Sequence, residues 1–255
     1  MPNYLSWGEK FPDTIVTLDS TFYDPSYRDF FERDDIKKQM EFINKFLSKC
    51  LSENSDVKIF PYPDLVFNAL KLTPLDKIKV VIIGQDPYHQ YELLNEKIVP
   101  QACGLSFSVP KKIKIPSSLS NIYKNQLKYK VILESPKNGD LKHWGKQGCL
   151  LLNASLTVQY NFPGSHLKRW LYLTNELIKY ISDTCDNLVF LLWGSPAIDK
   201  QQFIDLTKHL VIKSSHPSGL SYNSMCRGNS SFANTDHFNQ TNDYLKKWNK
   251  EPIYW

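Results

Sequence analysis

The stretch Lys79-Val80-Val81-Ile82-Ile83-Gly84-Gln85-Asp86-Pro87-Tyr88-His89 decides the fold. Val80–Ile83 is a run of β-branched apolar residues with no polar residue alternating, the pattern of a strand covered on both faces. Gly84 then turns the chain, and Pro87 fixes the backbone between Asp86 and Tyr88. A carboxylate, a phenol and an imidazole therefore leave the end of a rigid strand close together.

Outward from this segment, Cys149–Leu152, Leu188–Leu192 and Leu210–Ile212 read as further short strands. Helical patterns lie between or beyond them at Ser117–Leu127, Leu171–Thr184 and Ala197–Leu206. This alternation predicts one α/β domain with a mostly parallel sheet. Upstream, Ile36, Met40, Ile43, Leu47 and Cys50 recur on one helical face, a core-facing stripe. Pro61 and Pro63 precede a second helix whose Val66, Phe67 and Leu70 face inward. Residues 1–25 are non-periodic and read as an arm lying on a single domain of residues 26–255.

Each predicted strand ends in small, polar or titratable residues. The first runs into Gly84–His89, the second into Asn153-Ala154-Ser155, the third into Trp193-Gly194-Ser195-Pro196 and the fourth into Ser214-Ser215-His216-Pro217-Ser218. Parallel strands collect these loops at one edge, where ligands of open α/β sheets bind. Taken singly, Asp86 reads as a turn residue, Asn153 as an amide satisfying backbone groups and His216 as a core histidine. Ser118, Ser195 and Ser218 read as helix caps. Gathered at one sheet edge, they form a set suited to a planar, hydrogen-bonding substrate with phosphates nearby.

Composition bounds the chemistry. The 255 residues are 42% hydrophobic and 13% aromatic, enough for a sizeable core. The net charge of +5 is compatible with a polyanionic partner and with an ordinary solvated surface. Five widely spaced cysteines form no C-x-x-C pair, and no histidine cluster has metal-ligand spacing. Buried free thiols in a reducing compartment, without metal, are expected. The N-terminus lacks the basic start and apolar stretch of a secretory signal, and no run approaches the ~20 apolar residues of a membrane span. A soluble intracellular protein, a monomer by default, is the expectation.

Six segments carry a family resemblance, in order, from about Ile59 to Leu245. Gly84-Gln85-Asp86-Pro87-Tyr88-His89 resembles the water-activating motif of family 1 uracil-DNA glycosylases, and His216-Pro217-Ser218-Gly219-Leu220-Ser221 their minor-groove leucine loop. Gly104–Val109 is similar to the base-stacking segment, and Pro116–Leu119 with Asn121-Ile122-Tyr123 to the proline-rich DNA loop. Leu150–Asn153 resembles the uracil-reading strand and Leu191–Ser195 the Gly-Ser loop.

The resemblance implies a three-layer α/β/α sandwich with a central four-stranded, mostly parallel sheet. It implies a monofunctional enzyme that flips uracil out of single- or double-stranded DNA and hydrolyses the N-glycosidic bond. The flipped ring would lie on Phe107, with the Asn153 amide reading O4 and N3–H and Tyr88 excluding the methyl of thymine. Asp86, ionised, would stabilise the sugar cation and direct water, while neutral His216 and the backbone around Gln85 would donate to the departing uracil. Ser118, Ser195 and Ser218 would grip phosphates, and Leu220 would enter the minor groove. Arg227, Lys111, Lys112 and Lys114 are electrostatic helpers, although a solvated face explains the lysines equally. No cofactor is required. Implied partners are uracil-containing DNA and the uracil-DNA glycosylase inhibitor protein, in the nucleus or cytoplasm, with no membrane.

The pattern departs from the family in three places. Gln90 follows His89 where glycine is usual, and a long connection, Gln90–Cys103, precedes Gly104. Its segment Tyr91–Glu96 is expected to form a surface turn of helix. Gly219 stands where proline is common, which predicts a mobile loop. Tyr222–Asp236 is an extended polar loop around Arg227, read equally as added DNA contact or tolerated insertion. Two other functions compete. One is a non-catalytic DNA-binding accessory protein, against which Asp86, Asn153 and His216 all stand. The other is a nucleotide or phosphate-ester hydrolase, for which the Walker and metal signatures are missing.

Overall fold

The computed structural model describes residues 4–255. Four strands form the central sheet in the order Cys149–Asn153, Val80–Gly84, Val189–Trp193, Leu210–Ser214. All three pairings are parallel, and Ile82 aligns with Leu151 on one side and Leu191 on the other. Val80, Val81 and Ile82 are 0% exposed, as a central strand covered on both faces must be.

Side-chain alternation along Val189–Trp193 assigns the helices to two layers. Phe190 packs on His209, whose ring meets the Ser182 carbonyl of the Leu167–Thr184 helix. Trp193 points the other way, against His237 and Phe238 of the His237–Lys247 helix. The Ser117–Lys128 helix joins this second layer, where Asn125 donates to the Phe232 carbonyl. Asp34–Glu53 packs on Leu167–Thr184 in the first layer. The three-layer α/β/α sandwich is therefore as expected, with a wholly parallel central sheet.

Local differences from the expectation have physical causes. The stripe on Asp34–Glu53 ends in Leu51 and not Cys50, because four residues after Leu47 restore the helical face. The second predicted helix starts at Leu167 and not Leu171, its first turn anchored by fully buried Trp170. Ala197–Leu206 is not one helix: Pro196 opens a short turn, Ser195–Ile198, that tightens into a 3-10 segment, Asp199–Phe203. Tyr91–Glu96 is not helical either. Tyr91–Leu94 pairs with Lys97–Pro100 in an antiparallel hairpin. Its two turn residues, Asn95 and Glu96, both have positive φ (52° and 63°), the geometry that matches strand twist. Tyr91 anchors the hairpin against Phe60 and Tyr160, and Ile98 joins the same small apolar cluster.

Residues 4–25 lie on the domain and contribute Trp7, Val16, Leu18 and Phe22 to its core. All five cysteines are free, but only Cys103 and Cys149 are buried; Cys50, Cys185 and Cys226 are half-exposed. Among the described residues, no helix is long and apolar enough to cross a membrane, and no His, Cys, Asp or Glu cluster could hold a metal.

Candidate active site

The carboxyl ends of the strands open into a cleft of about 210 Å³. Gln85, Asp86, Tyr88, Phe107, Ser118, Asn153 and His216 all line it, although Asp86 and His216 lie 130 residues apart in sequence. The strand register does the assembling, since Gly84 stands opposite Asn153. Beyond the strands, Ala154 N–H donates to Gly84 O and Ser155 N–H to Gln85 O, both at 2.9 Å. The loops bearing the acid and the amide are thereby laced together.

Two backbone positions admit no ordinary side chain. A Cβ on Gly84 would lie 2.2 Å from Asn153 Oδ1, so glycine makes room for the amide. A Cβ on Gly104, where φ is +74°, would lie 1.8 Å from the Leu65 carbonyl oxygen. Phe107 itself sits in the left-handed region at φ +61°, a costly conformation held by its surroundings. Its ring packs 5.3 Å from Trp193 and 5.8 Å from His216. Its carbonyl accepts from the Tyr88 hydroxyl at 3.3 Å, and burial pushes the Tyr88 phenol well above its ordinary range.

Asp86 Oδ2 accepts the Gly164 N–H at 2.7 Å. Burial raises the Asp86 pKa, opposed by that hydrogen bond and by nearby His89. Burial lowers the His216 pKa, which favours neutral imidazole. The tautomer follows from the local turn: Ser218 N–H donates to His216 Nδ1 at 3.1 Å, so in neutral imidazole the proton resides on Nε2. His216 thus offers an Nε2–H donor within the cleft that Asp86 also lines.

The remaining predicted residues lie outside the cleft lining. Ser195 Oγ meets Cys226 Sγ at 3.2 Å, and Ser218 Oγ meets Ser221 Oγ at 2.8 Å. Leu220 is 97% exposed, and nothing lies within 4 Å of a Cβ built on adjacent Gly219. Arg227 is not a free cation but forms an exposed ion pair with Asp199. The segment Tyr222–Asp236 is only partly a surface loop, since Ser231, Phe232 and Ala233 are buried. Gln85 is exposed, so its backbone and not its side chain is the part held by Ser155. Lys111, Lys112 and Lys114 are exposed, as a solvated face requires. Sequence reasoning missed Gly164 as the partner of Asp86. Pro163-Gly164 is a turn signal, but a backbone N–H 78 residues away leaves no trace in residue type.

Known proteins resemble this chain over most of its length. The family model described as Uracil DNA glycosylase superfamily matches residues 70–246. A uracil-DNA glycosylase of Campylobacter jejuni is 40% identical over 246 residues, covering 95% of this chain and 98% of that one. The crystal structure of the mimivirus uracil-DNA glycosylase superposes with a TM-score of 0.93 at 38% identity, over 99% of this chain and 94% of that one. A variant of that mimivirus enzyme, solved in complex with UGI, gives a TM-score of 0.92 at 39% identity over 99% and 96%. The chain belongs to the uracil DNA glycosylase superfamily, and its activity is the hydrolytic excision of uracil from DNA in base excision repair.

Proposed function

We propose that this protein is a family 1 enzyme in which Asp86, Asn153 and His216 act on one extruded uracil. The observation that carries this reading is the single cleft they line together with Tyr88 and Phe107. The ring stacks on Phe107, and the Asn153 amide donates to O4 and accepts from N3–H. Cytosine presents the reverse pattern, which leaves buried groups unpaired. Tyr88 fills the space at C5 and rejects the methyl of thymine.

As the glycosidic bond lengthens, positive charge grows on deoxyribose and negative charge on uracil. Ionised Asp86 stabilises the first and orients the attacking water; the Nε2–H of His216 donates to O2 and stabilises the second, with a further donor from the backbone around Gln85. Ser118, Ser195 and Ser218 hold phosphates, Leu220 fills the gap left by the flipped nucleotide, and Arg227 contributes once released from Asp199. Residues 26–255 are the catalytic unit and 1–25 its arm, of which 1–3 lie outside the described residues. The complex of the mimivirus relative with UGI makes the same inhibitor a partner to expect here. An intracellular location, nuclear or cytoplasmic, follows from the substrate.

The test is uracil release from a labelled oligonucleotide in the presence of chelator, with alkaline cleavage at the abasic product. Wild type should cleave, and Asp86→Asn should lose about 10³-fold in turnover with DNA affinity retained. Full turnover in Asp86→Asn would remove Asp86 from the reaction, and tight binding without scission by wild type would favour the accessory protein.

A further inference from the structure

Behind the cleft lies a buried polar chain that touches no substrate. Thr157 is 0% exposed, His166 2% and Trp170 0%. Trp170 Nε1–H donates to Thr157 Oγ1 at 2.7 Å, and Thr157 Oγ1 lies 2.9 Å from His166 Nδ1. An indole N–H is only a donor, so the threonine oxygen accepts there and its own proton is available to Nδ1 of a neutral imidazole. Burial lowers the His166 pKa to about 4, which favours that neutral form.

The chain connects two parts of the acid's surroundings. Toward the pocket floor, Ser155 Oγ donates to the Thr157 carbonyl at 2.7 Å, and Ser155 N–H donates to Gln85 O at 2.9 Å. Toward the rim, His166 closes the loop that contains Gly164. This loop carries its own bonds: Leu167 N–H to Gly164 O at 3.1 Å, and Gln159 N–H to Ser165 Oγ at 2.9 Å. Its flank is otherwise exposed at Asn161, Phe162, Pro163 and Ser165, so His166 is its inward anchor. The product of this construction is one contact, Gly164 N–H on Asp86 Oδ2 at 2.7 Å.

We infer that Thr157 and His166 are positioning residues for the reaction, holding the Gly164 N–H on Asp86 so that the acid stays ionised and aimed. The inference rests on the role proposed for Asp86. His89 faces Asp86 from its own loop, and Arg169 faces His166 from the Leu167–Thr184 helix. A backbone N–H on a carboxylate favours its charged form, so a loosened loop lets Asp86 protonate at higher pH.

The measurement is kcat and KM for a uracil-containing single strand, followed from pH 4.5 to 9. Thr157→Val keeps the volume and removes the hydroxyl. It should move the acid limb of kcat upward by about one pH unit and lower the plateau about tenfold, with KM unchanged. Thr157→Ser restores the hydroxyl and should restore both. An unmoved acid limb in Thr157→Val, or a defect that Thr157→Ser leaves in place, would overturn the inference. Should Thr157→Val not fold, exposed Ser165→Ala loosens the same loop from outside and should move the limb in the same direction; no movement there would also overturn it. Full activity of Asp86→Asn would instead remove the underlying reading, a different result from a different variant.

Discussion

The floor of the cleft and the Pro217–Arg227 segment that follows His216 are built on opposite principles. At the floor, Gly84, Phe107 and Asn153 are buried, with strand register, a glycine that leaves room for the amide and a left-handed aromatic determining each position. Along Pro217–Arg227, Leu220 and Met225 are 97% and 71% exposed, and the segment is held by its backbone, through Asn121 on Pro217 O and Ser215 on Ser221 O, with a surface ion pair at Arg227. The reading of the base needs groups in place before the base arrives, since reorganisation during reaction costs rate. On the function proposed above, the exposed segment is the part that would meet the DNA. Burial is concentrated at the floor, and exposed apolar surface along Pro217–Arg227.

The sharpest way to break this contrast is at the floor. Gly84→Ala drives a methyl into Asn153 Oδ1 and should reduce uracil excision by about 10²–10³-fold, read by oligonucleotide scission on protein whose circular dichroism is native. Leu220→Ala should cost about tenfold on duplex DNA and little on single strands, because only the duplex leaves a stack to fill. An equal loss on both substrates would count against a wedge.

A third expectation concerns stability. Burial lowers His166 to about 4 and His237 to about 3 from an ordinary 6.5. Below pH 6.5 the unfolded chain takes protons that the native state refuses, so stability is full above that pH and declines as pH falls toward 4. Thermal melting should drop by about 5–10 °C between pH 7 and pH 4.5. His237→Phe should flatten this slope; a melting temperature constant across that range would contradict the buried neutral assignment. The smallest effect should come from Asp199→Asn, which breaks an exposed ion pair. It should change melting by less than about 2 °C while strengthening DNA binding at low salt, through the released Arg227. A melting change as large as that of a core variant would show the segment to be structural.

Much of the fold was legible because it is written in local pattern. The uninterrupted apolar run Val80–Ile83 and the one-sided stripe from Ile36 to Leu47 have few alternative readings. The gathering of Asp86, Asn153 and His216 was legible too, since parallel strands bring their carboxyl ends to one edge whatever the loops contain. Features set by distant backbone were not. Gly164 serves Asp86 through an N–H that every non-proline residue carries. Asp199 neutralises Arg227 from a segment 28 residues away. Tyr91–Glu96 was misread because so short a stretch has no decisive period, and its turn depends on left-handed Asn95 and Glu96.

That hairpin has a consequence for how the chain can change. Its apolar residues pack with Phe60, Ala102 and Val158 in a cluster separate from the main core. It therefore behaves as an accessory module, whose exchange for a shorter connection should reshape one bank of the cleft while sparing the catalytic body. Diversification of this rim is decoupled from the integrity of the enzyme beneath it.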